Sequence, residues 1–322
     1  MKSILFDKPG DPLTLGEAPE PQPAGGELLV RVHATALNRA DLLQRRGGYA
    51  PPPGASPILG MELAGEVVQG FGQWQPGDRV MAVVTGGSYA EYCAVPVGMA
   101  MPIPDNLAYE EAAAIPEAFL TAQLNLFTLG KLHGHESVLI HAGGSGVGSA
   151  AIQLARAEGA FVFTTAGSAS KVARCAELGA NVAINYKEES FLERVRFITE
   201  DQGVNLILDF IGAPYWNDNL AALDVGGRLM LIGFLGGVSA DLMNIGAILS
   251  KSLAIAGTTL RRTPLPQKIE LVEAFSEFGL PRLASGELVP IIDRVFPLAE
   301  AEDAHRYMQS SANFGKIILR VI

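Results

Sequence analysis

From residue 28 the chain reads LLVRVHAT, where Leu28, Val30, Val32 and Ala34 alternate with Arg31, His33 and Thr35. A two-residue period predicts a strand with one face in a core. Strand-like runs follow at 61–69, 79–84 and 88–95, separated by the turn cues PGD (76–78) and GG (86–87). The triple proline of PPPG (51–54) forbids regular structure and holds a rigid connection. The first hundred or so residues therefore read as a β-rich region.

Near residue 118 the rhythm changes. Apolar runs at 137–142, 160–166, 182–185, 204–212, 228–234 and 252–260 alternate with segments of helical spacing, such as Val147, Ala151, Leu154 and Ala155. Near-continuous apolar strands joined by helices predict a parallel sheet covered on both faces. Six such strands, in two halves of three, are what a doubly wound dinucleotide-binding domain requires. Beyond residue 262 the pattern predicts a helix over 266–278 and strands at 289–296 and 315–322. This tail shows no further βαβ rhythm and is expected to return to the first domain.

Composition narrows the classes. A chain of 322 residues exceeds one ordinary core, so two domains are expected. A formal charge of −10 argues against a nucleic-acid surface, and the basic pairs Arg45–Arg46 and Arg261–Arg262 read as solvated surface. Cys93 and Cys175 make no disulfide framework and suit a reducing compartment. MKSILFDKPG reaches Asp7 before a signal-type apolar run forms, and LMLIGFLGGV (229–238) is too short to span a bilayer. The expectation is a cytoplasmic protein without membrane partners.

The candidate chemistry starts at VLIHAGGSGVGSAA (138–151), a strand, a bare turn and a helix start. Glycines there let a pyrophosphate approach the backbone while the helix N-terminus offers free N–H groups. Two registers stay open: G-x-S-x-x-G from Gly143, with Ser145 in place of the middle glycine, or G-x-G-x-x-A from Gly146. An NAD site places an acid about 20 residues on, to accept from the ribose hydroxyl. Residues 161–174 contain none, and offer Gly167, Ser168 and Lys171 instead, a pocket for a 2′-phosphate or an ordinary helix start. NADPH is favoured over NADH.

In this order, ILGMELAGEV (58–67), QPGDRV (75–80), AAAIPEAFLTA (112–122) and the glycine turn resemble the medium-chain dehydrogenase/reductase superfamily. NRADLLQRRGGYAPPPGASPILG (38–60), HAGGSGVG (141–148) and NFGKIIL (313–319) are more specifically similar to its zinc-free quinone oxidoreductases, and most to the tumour-suppressor-inducible branch related to ζ-crystallin. The resemblance implies an α/β fold: a six-stranded Rossmann domain at 118–262, and a β-rich GroES-like catalytic domain made of 1–117 and 263–322. Zinc-dependent members carry a histidine where Met61 stands, a cysteine where Asn38 stands, and a cluster of four cysteines. No metal is expected here. His33, His133, His135, His141 and His305 read as turn or core residues.

By the same resemblance NADPH lies in the cleft between the domains. Gly143, Gly144, Ser145, Gly146, Val147 and Gly148 hold its pyrophosphate. Gly167, Ser168, Lys171 and Tyr186 surround the 2′-phosphate, unless Tyr186 is a strand-end aromatic. Asn38 and Thr121 lie near the nicotinamide, Gly233, Phe234 and Leu235 end the fifth strand, and Asn313 and Lys316 close over the phosphates. The substrate region is a loop-like stretch with Asn38, Asp41, Arg45 and Tyr49, in which Tyr49 is a proton donor or plain packing and Asp41 orients Arg45 if the stretch is helical. Without a Lewis acid the chemistry suits a quinone, which becomes aromatic on reduction. Reduction of α,β-unsaturated carbonyls or enoyl thioesters is the alternative reaction. A non-catalytic NADPH-binding role is the alternative class. A homodimer through the Rossmann edge strand at 252–260 is also expected.

Overall fold

A computed structural model describes residues 1–239, 243 and 245–322. The chain divides into two compact units, residues 1–120 with 261–322, and residues 121–260.

The first unit is built on a seven-stranded sheet whose centre is Glu27–Ala36. Its alternation resolves as expected: Leu28, Val30, Val32 and Ala34 are fully buried. On one side it pairs antiparallel with Glu62–Gln69, followed by Arg79–Val83 and Ala100–Pro102. On the other it pairs with Lys316–Arg320, which pairs with Ile292–Pro297, and Tyr92–Pro96 pairs with its first half.

Four local expectations are corrected. The strand expected at 88–95 begins only at Tyr92, because Ser88 and Tyr89 are buried in other bonds, Ser88 Oγ to Thr35 Oγ1 at 2.8 Å and Tyr89 N–H to the Leu59 carbonyl at 3.0 Å. The loop-like stretch after Asn38 is a helix, Arg39–Arg45, whose start is fixed by Asp41 accepting the Asn38 N–H at 2.8 Å. The helix expected to end at 278 runs Leu265–Ser285, through Gly279 and Pro281. Buried Leu271, Phe275 and Leu283 hold its apolar face across the proline, and a Cβ on Gly279 would collide with the Phe275 ring. Finally, the tail does contain a βαβ unit. Ile292–Pro297 and Lys316–Arg320 are parallel, joined through Ala301–Gln309, whose Ala301, Ala304, His305 and Met308 face the core at helical spacing.

The second unit is a six-stranded, wholly parallel sheet. Across the sheet the order is Val182–Asn185, Phe161–Ala166, Ser137–Ile140, Val204–Asp209, Leu223–Leu231, Ala254–Gly257. Numbered within the unit this is 3-2-1-4-5-6, the doubly wound order whose chain reversal lies beside the first strand. Leu139, Phe163, Ile184, Val204, Ile207 and Leu229 are buried together in its core. Loops after the strands' C-terminal ends collect on one edge, which is where such sheets bind ligands.

Candidate functional site

In the second unit the glycine turn leaves the strand Ser137–Ile140 and enters the helix Gly146–Glu158. Gly143 and Gly148 are the positions that need a missing side chain. A Cβ on Gly143 would collide with Thr164 Oγ1, and one on Gly148 with the Ala142 carbonyl oxygen. Ser145 is the N-cap, its Oγ accepting the Gly148 N–H at 3.0 Å. Ser145 thus caps the helix at the position where the register starting at Gly143 would have its middle glycine. Among the described residues no acceptor faces the N–H groups of Gly146 and Val147. They are open N-terminal donors of the helix.

The neighbouring strands Phe161–Ala166 and Val182–Asn185 end side by side, Ala166 opposite Asn185. Their loops bring Gly167, Ser168, Lys171 and Tyr186 together. A Cβ on Gly167 would stand 2.7 Å from the Tyr186 hydroxyl, so the ring lies over the bare glycine. Ser168 caps the helix Ala169–Glu177 by accepting the Lys171 N–H at 3.3 Å. Gly233, Phe234 and Leu235 follow the strand Leu223–Leu231, and both large side chains are more than half exposed. Thr121 is buried, its carbonyl accepting from Asn125 Nδ2 at 2.8 Å.

Beneath the turn runs a buried chain of hydrogen bonds. Asn219 Nδ2 donates to Asp209 Oδ2 at 3.1 Å, so Asn219 Oδ1 accepts from His141 Nε2–H at 2.8 Å. His141 Nδ1 then accepts from the Thr165 hydroxyl at 3.0 Å, and Thr165 Oγ1 accepts the Ala142 N–H at 3.3 Å. At the far end Asp209 accepts the N–H groups of Ile211 and Gly212. Burial lowers the His141 pKa to about 4 and raises that of Asp209 to about 6. The chain ties the glycine turn to the loop after the fourth strand. Sequence reasoning marks His141 only as a turn or core residue; its position shortly before the glycines is the available signal.

In the first unit a different cluster forms around Asn38. Glu62, fully buried, accepts from Asn38 Nδ2 at 2.8 Å and from Lys316 Nζ at 2.7 Å through Oε1, and from the Glu117 N–H at 2.8 Å through Oε2. Lys316 Nζ also donates to Asn38 Oδ1 and the Leu37 carbonyl. This corrects the expectation that Lys316 closes over phosphates: its ammonium is buried and all three of its protons are committed. The ammonium sits between the acceptors of Asn38 and Glu62. Among the described residues no group of three or more His, Cys, Asp or Glu could hold a metal ion. Asn313 instead donates through Nδ2 to the Gly315 carbonyl at 2.8 Å.

Asp41 faces inward, accepting from the Gly60 N–H and the Tyr89 hydroxyl, each at 3.3 Å. Burial raises its pKa to about 6. It does not orient Arg45, whose guanidinium pairs with Glu302 at 2.7 Å. Arg45 and Arg261 are buried, which corrects their reading as solvated surface. Arg261 donates twice to the Thr85 carbonyl and lies 5.2 Å from the Tyr49 ring centre. Glu117 is raised to about 8 by burial and by the Glu62 carboxylate, against the pull of Lys316 and Lys268. Sequence reasoning misses Glu62, Glu117, Lys268 and Arg261 as site residues. IPEAFLT marks the position of Glu117, but no spacing rule ties it to the others.

Comparison with known proteins places these features. Residues 24–105 match the alcohol dehydrogenase GroES-like domain, and residues 146–276 match the zinc-binding dehydrogenase family. Quinone oxidoreductase of Rattus norvegicus is 30% identical over 304 residues, covering 93% of this chain and 90% of the relative. The solved quinone oxidoreductase of Thermus thermophilus, described with its NADPH complex, is 37% identical with a TM-score of 0.86 over the full length of both chains. CurK enoyl reductase superposes with a TM-score of 0.87 at 28% identity, covering 99% of this chain and 98% of that one. The chain belongs to the medium-chain dehydrogenase/reductase superfamily of oxidoreductases, close to the ζ-crystallin-like quinone oxidoreductases.

Proposed function

We propose that this protein is an NADPH-dependent quinone reductase. The observation that carries the reading is the acid-free stretch 161–174 of the second unit. There Gly167 lies under the Tyr186 ring, Ser168 caps a helix, and Lys171 follows in its first turn. A carboxylate would repel a 2′-phosphate; hydroxyls, an ammonium and a helix N-terminus attract one. The cradle of Gly143 and Gly148, with the open donors of Gly146 and Val147, fits the pyrophosphate. When bound, NADPH supplies the hydride, and the chain's residues orient the acceptor and manage the proton. Asn38 is held by Lys316 and Glu62, so it serves as a fixed wall.

The experiment is NADPH oxidation followed with ortho- and para-quinones beside an enone and an enoyl thioester. Preferential quinone turnover is expected. Turnover of the enone or thioester alone overturns the quinone assignment in favour of the second reading, which rests on the likeness to an enoyl reductase. NADPH binding without any turnover overturns the enzymatic reading. The edge strand Ala254–Gly257, paired on one side only among the described residues and preceded in the chain by the helix Ile245–Ser250 with exposed Ile245 and Leu249, supports a homodimer formed by strand addition. Sedimentation as a monomer at micromolar concentration rules that out.

A further inference from the structure

Three polar groups of the first unit are placed without partners. Glu117 opens the helix Pro116–Gln123, its backbone N–H pinned to Glu62 Oε2, yet its carboxyl makes no hydrogen bond among the described residues. Lys268, 6% exposed on the helix Leu265–Ser285, makes none through its ammonium. Arg261, 4% exposed, spends Nε and Nη2 on the Thr85 carbonyl and leaves Nη1 buried without an acceptor. Glu117 interacts electrostatically with both cations, and the guanidinium lies against the Tyr49 ring. A buried donor without an acceptor costs on the order of 1–3 kcal/mol, so such groups are retained where a ligand completes them.

Resting on the quinone-reductase reading, we infer that Glu117 is the proton donor to the reduced quinone oxygen, with Lys268 and Arg261 receiving the charge it leaves behind. The step balances. Bound NADPH would supply two electrons and one proton as hydride, and the quinone so reduced would be a hydroquinone monoanion with its charge on one oxygen. The Glu117 O–H bond breaks, the new O–H bond forms on that oxygen, and the Glu117 carboxylate takes its proton back from solvent. The groups facing Glu117 set its state at neutral pH. Burial, Glu62 and Asp41 favour the protonated form, while Lys316, Lys268 and Arg261 favour the ion. The balance leaves the acid protonated up to a pKa of about 8. An acid poised near the working pH is the efficient one.

The test combines Glu117→Gln, Glu117→Asp and Lys268→Met with wild type, reading kcat against pH, NADPH affinity by fluorescence, and infrared absorption of the carboxylic acid. Wild type is expected to lose kcat above a pH of about 8. Glu117→Gln should lower kcat about a hundredfold or more, flatten that limb and remove the acid's infrared band, with NADPH affinity unchanged. Glu117→Asp should restore part of the rate. Lys268→Met should move the limb to higher pH, because one cation favouring the ion is gone. Wild-type rate and pH profile in Glu117→Gln overturn the role of Glu117 alone. Absence of quinone turnover in wild type overturns the function and this role with it.

Discussion

The two units hold their buried polar groups in different ways. In the second, Ala142, Thr165, His141, Asn219 and Asp209 form a one-directional chain in which each side chain short of the last both donates and accepts. In the first, Glu62, Lys316 and Asn38 are locked by an ion pair in which neither charge reaches water. Losing an uncharged link of the chain, such as His141, costs one or two unmade bonds. Breaking an ion pair costs more, because the remaining charge stays buried alone.

The strongest perturbation breaks the ion pair. Lys316→Met should destabilise the protein by about 3–5 kcal/mol, read from urea unfolding, because the Glu62 carboxylate is left uncompensated. Adding Glu62→Gln in the same chain should recover much of that loss. A loss of under about 1 kcal/mol in Lys316→Met would refute the contrast between the units. A weaker perturbation removes an uncharged link of the chain in the second unit. His141→Phe leaves the Thr165 hydroxyl and Asn219 Oδ1 unpaired, for about 1–3 kcal/mol, and should weaken NADPH binding more than it alters kcat. This deficit depends on pH with a definite sign. The His141 pKa is lowered from 6.5 to about 4, so the unfolded chain binds the proton first as pH falls. Wild type therefore loses stability from pH 6.5 toward 4, and the gap to His141→Phe should narrow over that window. A constant gap would mean that His141 is not held neutral in the folded state.

What is local and periodic was legible along the chain alone. Alternation at 28–35 placed one face of the central strand in a core, and the six apolar runs from 137 to 260 each overlap a strand of the parallel sheet, the fifth of which starts earlier than its run, at Leu223. The glycine turn and the missing acid were legible because a cofactor phosphate is recognised within a few consecutive residues. Packing in three dimensions settled what depends on residues far apart in the chain. The helix Leu265–Ser285 continues past Pro281 because its far face is buried, a force no local pattern expresses. That a side chain at Gly143 or Gly148 would collide with Thr164 or the Ala142 carbonyl is decided by the packing around the turn. Lys316 reads as a surface cation in NFGK, but it lies 254 residues from Glu62 in sequence and 2.7 Å from it in space. Charge says only that a lysine prefers water; whether a buried carboxylate replaces that water is settled by the fold.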